Sequence, residues 1–211
     1  MRPVRHLTRL SDTVERRLSR IQAIVDRLAV PADFGTDGIL AFAVIELDNL
    51  WSAFVRSYYL SWHLGTTRGS GTRVHVTPGA PQQFAHALKQ ASIALYGRTT
   101  RGRTGRIEPA WHEKRVLVDL ARNVAPALVP HVQAAMSLPS TAFDHLHTVR
   151  NFYAHRSEET ASKLPRVARA FGLLPTRRAR DIVLGVPPGG RSPILLEWIG
   201  EVRDATSMLC S

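Results

Sequence analysis

Arg150-Asn151-Phe152-Tyr153-Ala154-His155 sets a permanently charged guanidinium and an imidazole in one short, helix-compatible stretch, with four residues between them. Together these two groups can cleave RNA without a metal. Internal transesterification needs the ribose 2′-oxygen deprotonated, the charge on the phosphorane offset and the 5′-oxygen leaving group protonated. Histidine moves protons near neutral pH, and arginine stays charged while donating several hydrogen bonds toward phosphate oxygens. The plainer alternative is a pair of side chains that bind free carbonyls at a helix terminus and complement its dipole.

On a regular helix a five-residue step separates Arg150 and His155 by about 140°, so they converge only where the helix ends, bends or meets a symmetry mate. Asn151 and His155, four apart, share a face, and the amide can orient the imidazole. Upstream, Glu46, Asn49 and Arg56 lie close to one face of a second helix whose other residues are largely apolar. Polar side chains in that setting need partners, in solvent or in a site.

The elements that must position these groups read as helices. Leu7, Leu10, Val14, Leu18, Ile21, Val25 and Leu28 recur at three- and four-residue steps, with Arg16, Arg17, Arg20 and Asp26 between them. That is an amphipathic helix, with Asp12 and Glu15 as a capping pair and Pro31 closing it. A second helix starts near Thr36-Asp37, runs to about His63 and stops at Gly65. Residues 65–80 read as a loop with a short extended piece at 74–76, and Pro81 opens a helix that ends at Gly97. Further helices are expected over 111–123 and 130–136. The arginine–histidine block falls in a helix from residue 141 to 153 or beyond, capped by Ser140, with Phe143, Leu146, Val149 and Phe152 inward. Another follows over 158–171 and stops at Gly172. A Pro-Pro-Gly-Gly turn at 187–190 then leads to a last helix through Ile194, Leu195, Trp198, Ile199 and Val202. The expectation is an all-α helical bundle over 1–174, with 175–211 as an irregular C-terminal appendage packed on the same domain.

Hydrophobic residues make up 44% of the 211, enough for a buried core in one domain. Net charge is +11, and only Lys89, Lys114 and Lys163 of the 28 basic residues are lysine. Arginine favours planar, bidentate contact with phosphate or carboxylate, although a GC-rich genome also replaces Lys by Arg throughout. The surplus suits a polyanionic partner. Arg98, Arg101, Arg103 and Arg106, set among Gly and Thr at 97–106, are expected to drape over a phosphate backbone, with Arg56 and Arg156 as further RNA contacts. The single Cys210 excludes an intrachain disulfide and fits a reducing cytoplasm. The N-terminus is charged and amphipathic, unlike a signal core. The longest apolar run, 39–45, ends at Glu46 and falls far short of the ~20 residues of a membrane span, so no membrane partner is expected.

Other motifs carry less. His145 and His147 are two apart on different helix faces, so with Asp144 they would chelate badly. His112-Glu113 lacks a zincin helix's second histidine, and Gly189-Gly190-Arg191-Ser192 lacks the spacing of a phosphate loop. Cys210 has no activating neighbour. No helix-turn-helix signature supports a DNA-binding reading. No metal and no cofactor are expected.

Arg150-Asn151-Phe152-Tyr153-Ala154-His155 resembles the R-N-x-x-x-H form of the R-x4-6-H motif of the HEPN superfamily, and the 46–59 helix is similar to that family's long polar-residue-bearing helix. These are compact helical bundles, often metal-independent endoribonucleases in toxin–antitoxin, phage-defence and RNA-processing systems. The resemblance implies catalytic roles for Arg150 and His155, a supporting role for Asn151 and weaker ones for Glu46 and Asn49. It also implies a homodimer in which two motifs share a cleft, RNA as substrate, and an antitoxin or cognate partner protein. The family equally contains catalytically silent RNA- or protein-binding modules. Ser157 stands where the R-x4-H-x-Y variant has its tyrosine, so nothing that depends on that tyrosine is implied.

Overall fold

The computed structural model describes residues 1–27, 36–76, 84–97 and 108–211, and these are all-α apart from one two-stranded ribbon. They divide into two compact units: Met1–Val14, Trp51–Leu138 and Ala205–Ser211 form the first, and Glu15–Leu50 with Pro139–Asp204 the second. Helices α1 (Leu7–Asp26), α2 (Thr36–Leu64) and α10 (Ile194–Cys210) contribute residues to both. In this partition residues 175–204 fall in the second unit and 205–211 in the first.

The first unit holds β1 (Thr66–Thr67) and β2 (Arg73–Val74), paired antiparallel with Thr66 opposite Val74. It also holds α3 (Phe84–Tyr96), α4 (Lys114–Val124), a 3-10 turn Pro126–Leu128 and α5 (Val129–Met136). Its core is the aromatic half of α2, where Trp51, Phe54, Tyr58, Tyr59 and Trp62 are all buried. Trp51 Nε1 donates to the His112 carbonyl at 3.1 Å and Tyr59 Oη to that of Ala87 at 2.8 Å, so these two polar tips are satisfied within the packing. Gly65 ends α2 at φ +71°, a left-handed conformation that the absent Cβ permits.

The second unit contains α6 (Ala142–His155), α7 (Glu158–Ala161), α8 (Leu164–Ala170) and α9 (Ala179–Val183). Leu18, Ile21 and Val25 of α1, Leu40, Val44 and Leu47 of α2, and Ile194, Leu195, Trp198 and Ile199 of α10 are buried in it. At roughly 1.5–3 kcal/mol per large apolar side chain, this burial outweighs any single polar contact in the unit. The start of α6 is held from a distance in sequence. The Glu201 carboxylate accepts from Thr141 N at 3.0 Å, Ala142 N at 2.7 Å, Ser140 Oγ at 3.0 Å and Thr141 Oγ1 at 3.1 Å.

Several local expectations are corrected. α6 has Thr141, not Ser140, as its N-cap, without a side-chain cap bond, because Glu201 takes the free amides. Its inward residues are Ala142, Leu146, Val149 and Tyr153, while Phe143 and Phe152 stay half-buried. The expected 158–171 helix is two helices, because Pro165 in the first turn of α8 cannot donate to a continuing ladder. Asp12 and Glu15 lie inside α1 and do not cap it; Glu15 instead accepts from Arg203 Nε at 2.8 Å. Pro31 and Pro81 fall outside the described residues. Among the described residues α2 is the one helix long and apolar enough to cross a membrane by length and composition, and half of its most apolar stretch is buried inside the protein.

Candidate active site

Helix α6 buries one face and presents another that is almost wholly polar. Taking His147 as the zero of rotation, 100° per residue puts Asn151 at about +40°, His155 at about +80° and Arg150 at about −60°. Tyr153, at about −120°, turns into the core and is 5% exposed. Burial pushes its phenol well above the usual range, so it stays a neutral hydroxyl.

The buried end of this polar arc meets α2. Asp48 is 4% exposed. Its Oδ2 lies 3.1 Å from His147 Nδ1 and its Oδ1 3.3 Å away. A carboxylate only accepts, so the contact fixes the hydrogen on Nδ1. Arg150 Nε sits 3.7 Å from the same Oδ2, near enough for Coulomb attraction but beyond a hydrogen bond. The Arg150 side chain is 27% exposed, and its Nε is enclosed without a hydrogen-bond partner. Its Nη1 donates to Asn151 Oδ1 at 3.1 Å. The neighbouring amide is therefore oriented by the guanidinium.

The open end is a polar cleft of about 320 Å³ lined by Thr148, Asn151, His155, Ser157, Glu159, Thr160 and Lys163. Its floor is built by the end of α6. Helix α6 stops at His155 because Arg156 adopts φ +45°, with its N–H returned to the Phe152 carbonyl at 2.7 Å. Ser157 then caps α7 through a reciprocal box with Thr160. Lys163 Nζ bridges to Glu159 Oε1 at 2.9 Å across one turn, and that contact holds the Glu159 carboxyl below its usual value. Asn151 thus connects the two halves, since it bonds Arg150 and lines the cleft that His155 enters.

The other expected residues go elsewhere. Glu46 ion-pairs with Arg17 of α1, about 200° around α2 from Asp48. Asn49 is exposed. Arg56, in the first unit, forms a bidentate contact with Glu108 at 3.2 Å. Arg156 pairs with Asp37 at 3.1 Å. Arg98, Arg101, Arg103 and Arg106 lie outside the described residues. Asp144 and His145 line a second cleft, and no three His, Cys, Asp or Glu side chains among the described residues are grouped to hold a metal ion.

Spacing alone did not point to Asp48, and it presented His147 only as a poor metal ligand. The signal was present: Asp48 falls in the stripe Val44, Asp48, Trp51 and Val55, and an acid on a buried helix face requires a cation or donor. The candidates for that role sit on one edge of α6. No family model matches the chain, and no curated protein or solved structure matches it either.

Proposed function

We propose that the second unit is a metal-independent endoribonuclease of HEPN type that cleaves RNA by 2′-OH transesterification. One observation carries this reading: Asn151 and His155 open on the same polar cleft while Asn151 accepts a hydrogen bond from Arg150. His155 takes the proton from the 2′-oxygen, which attacks phosphorus. The bond from phosphorus to the 5′-oxygen breaks, and the leaving oxygen receives a proton from an imidazole. The products are a 2′,3′-cyclic phosphate and a 5′-hydroxyl. In a homodimer, His155 of a second copy supplies that proton.

Arg150 has five N–H donors. Nε faces Asp48 and one Nη1 hydrogen goes to Asn151, which leaves three for the phosphate oxygens. Asp48 serves as a positioning residue that holds the guanidinium from behind. A cytoplasmic defence or toxin–antitoxin setting, with a cognate protein that restrains the activity, belongs to the same proposal.

The test is purified full-length protein incubated with single-stranded RNA in EDTA, with product ends analysed for cyclic phosphate. His155→Ala should lower the rate by about 10²–10⁴ with the circular-dichroism spectrum unchanged. Cleavage at the wild-type rate by that variant removes the proposed role. RNA binding without cyclic-phosphate ends would favour the catalytically silent binding module instead.

A further inference from the structure

A second cleft of about 700 Å³ adjoins the first, and it is lined by Asp144, His145, Thr148, Ser162, Lys163, Arg166 and Val167. Thr148 and Lys163 wall both clefts. On α6 the wall residues Asp144, Thr148, Asn151 and His155 follow one edge at steps of four, three and four, over about 16 Å of helix. The opposite wall comes from the α7–α8 junction, through Ser162, Lys163 and Arg166. The two clefts therefore adjoin along this edge, sharing Thr148 and Lys163.

The chemistry changes along it. The part near His155 is small and polar, and the part near Arg166 is cationic with an aromatic side. Arg166 is exposed and pairs with no carboxylate among the described residues. His145 is half-buried with its ring edge-on to Phe171 at 5.5 Å. Burial, chiefly, holds its imidazole below the usual value, so at neutral pH the ring is an uncharged surface. A planar neutral ring beside a guanidinium matches a nucleobase next to its phosphate.

We infer that the Arg166 cleft is a nucleotide subsite flanking the scissile position, in which Arg166 holds a phosphate and His145 stacks on or hydrogen-bonds to a base, so that the substrate is single-stranded RNA laid along the α6 edge. This deepens the nuclease reading and rests on it for the word scissile. Duplex RNA does not fit the inference, because its bases are stacked and paired and cannot reach His145.

The probe is a fluorescein-labelled oligouridylate with 2′-O-methyl riboses, which has no attacking hydroxyl and so reports binding whether or not the protein cleaves. Anisotropy titrations of the full chain over a series of salt concentrations compare wild type with Arg166→Gln, a change at an exposed position that leaves the core untouched. The subsite expects affinity to drop about three- to tenfold and the salt slope to lessen by about 0.7, the value for one lost phosphate contact on a single strand. His145→Ala should weaken binding by a similar factor with no change of slope, because stacking is not ionic. Unchanged affinity and slope in Arg166→Gln, a weaker affinity at constant slope, or equal binding of a blunt 2′-O-methyl duplex each overturn the subsite. Absence of cyclic-phosphate ends from ordinary RNA sinks the nuclease reading alone, since the uncleavable probe tests the subsite separately.

Discussion

Asp48 and Arg150, 102 positions apart, come within 3.7 Å of each other between Oδ2 and Nε, and the same carboxylate reaches His147 at 3.1 Å. An acid that is 4% exposed is thereby partnered from two successive turns of α6. Removing it takes the carboxylate from a part-buried Arg150, whose side chain is 27% exposed. Asp48→Ala should destabilise the protein by about 2–3 kcal/mol, discounted from the fully buried case because Arg150 retains some solvent. Thermal denaturation should register this as a fall in Tm of about 5–10 °C. A Tm within a degree or so of wild type would show that the contact contributes nothing to folding.

Arg156 is the one described residue other than glycine with positive φ, at +45°. A β-branched side chain there clashes with its own backbone, whereas glycine does not. Arg156→Val should therefore cost about 1–3 kcal/mol in urea denaturation, and Arg156→Gly should stay within about 1 kcal/mol of wild type. The reverse order would contradict the left-handed cap that ends α6.

His63, near the end of α2 in the first unit, has its imidazole pushed down to about 4, mainly by burial and then by His86 and His75. The unfolded chain takes up that proton near pH 6.5, and the folded protein only near 4. The histidine thus contributes stability above pH 6.5 that is progressively lost as pH falls through this window. Unfolding free energies measured from pH 7 to 4 should fall less steeply for His63→Gln than for wild type. Parallel curves would count against the shift.

Cys210 is 3% exposed, and burial raises its thiol to about 12. Unfolded, it would ionise near 8.5. Native protein at pH 8 should react with an aromatic disulfide reagent more than about a hundredfold slower than protein in denaturant, because the thiolate is the nucleophile. Comparable rates would mean that the C-terminal helix opens readily.

Much of the fold was legible because it rests on periodicity and on glycine. The Leu7-to-Val25 stripe became the buried face of α1, and Gly65, Gly97 and Gly172 stop their helices with φ near +70°. α9 was missed, since Ala179–Val183 is too short to show a period. The 158–171 helix looked continuous because its apolar residues hold their phase across Pro165. In the candidate site, Asn151 and His155 line one cleft, and Arg150 reaches it only through its hydrogen bond to Asn151. The spacing of Glu46, Asn49 and Arg56 on one helical face cannot reveal that Arg17 occupies Glu46 or that Asp48 is the acid facing α6. Those pairings join segments distant along the chain, and local pattern does not record them.

Glu201 gathers four donors from three consecutive residues at the start of α6, and this indexes the helix to a fixed origin. Every downstream side chain then sits at a set count of residues from that anchor. Inserting or deleting a single residue between Ala142 and Arg150 would swing the edge that carries Asn151 and His155 by about 100° and shift it about 1.5 Å along the axis. His155 would leave the cleft although no wall residue had been altered. The geometry of this edge consequently depends on the length of α6 more than on the identity of many of its residues.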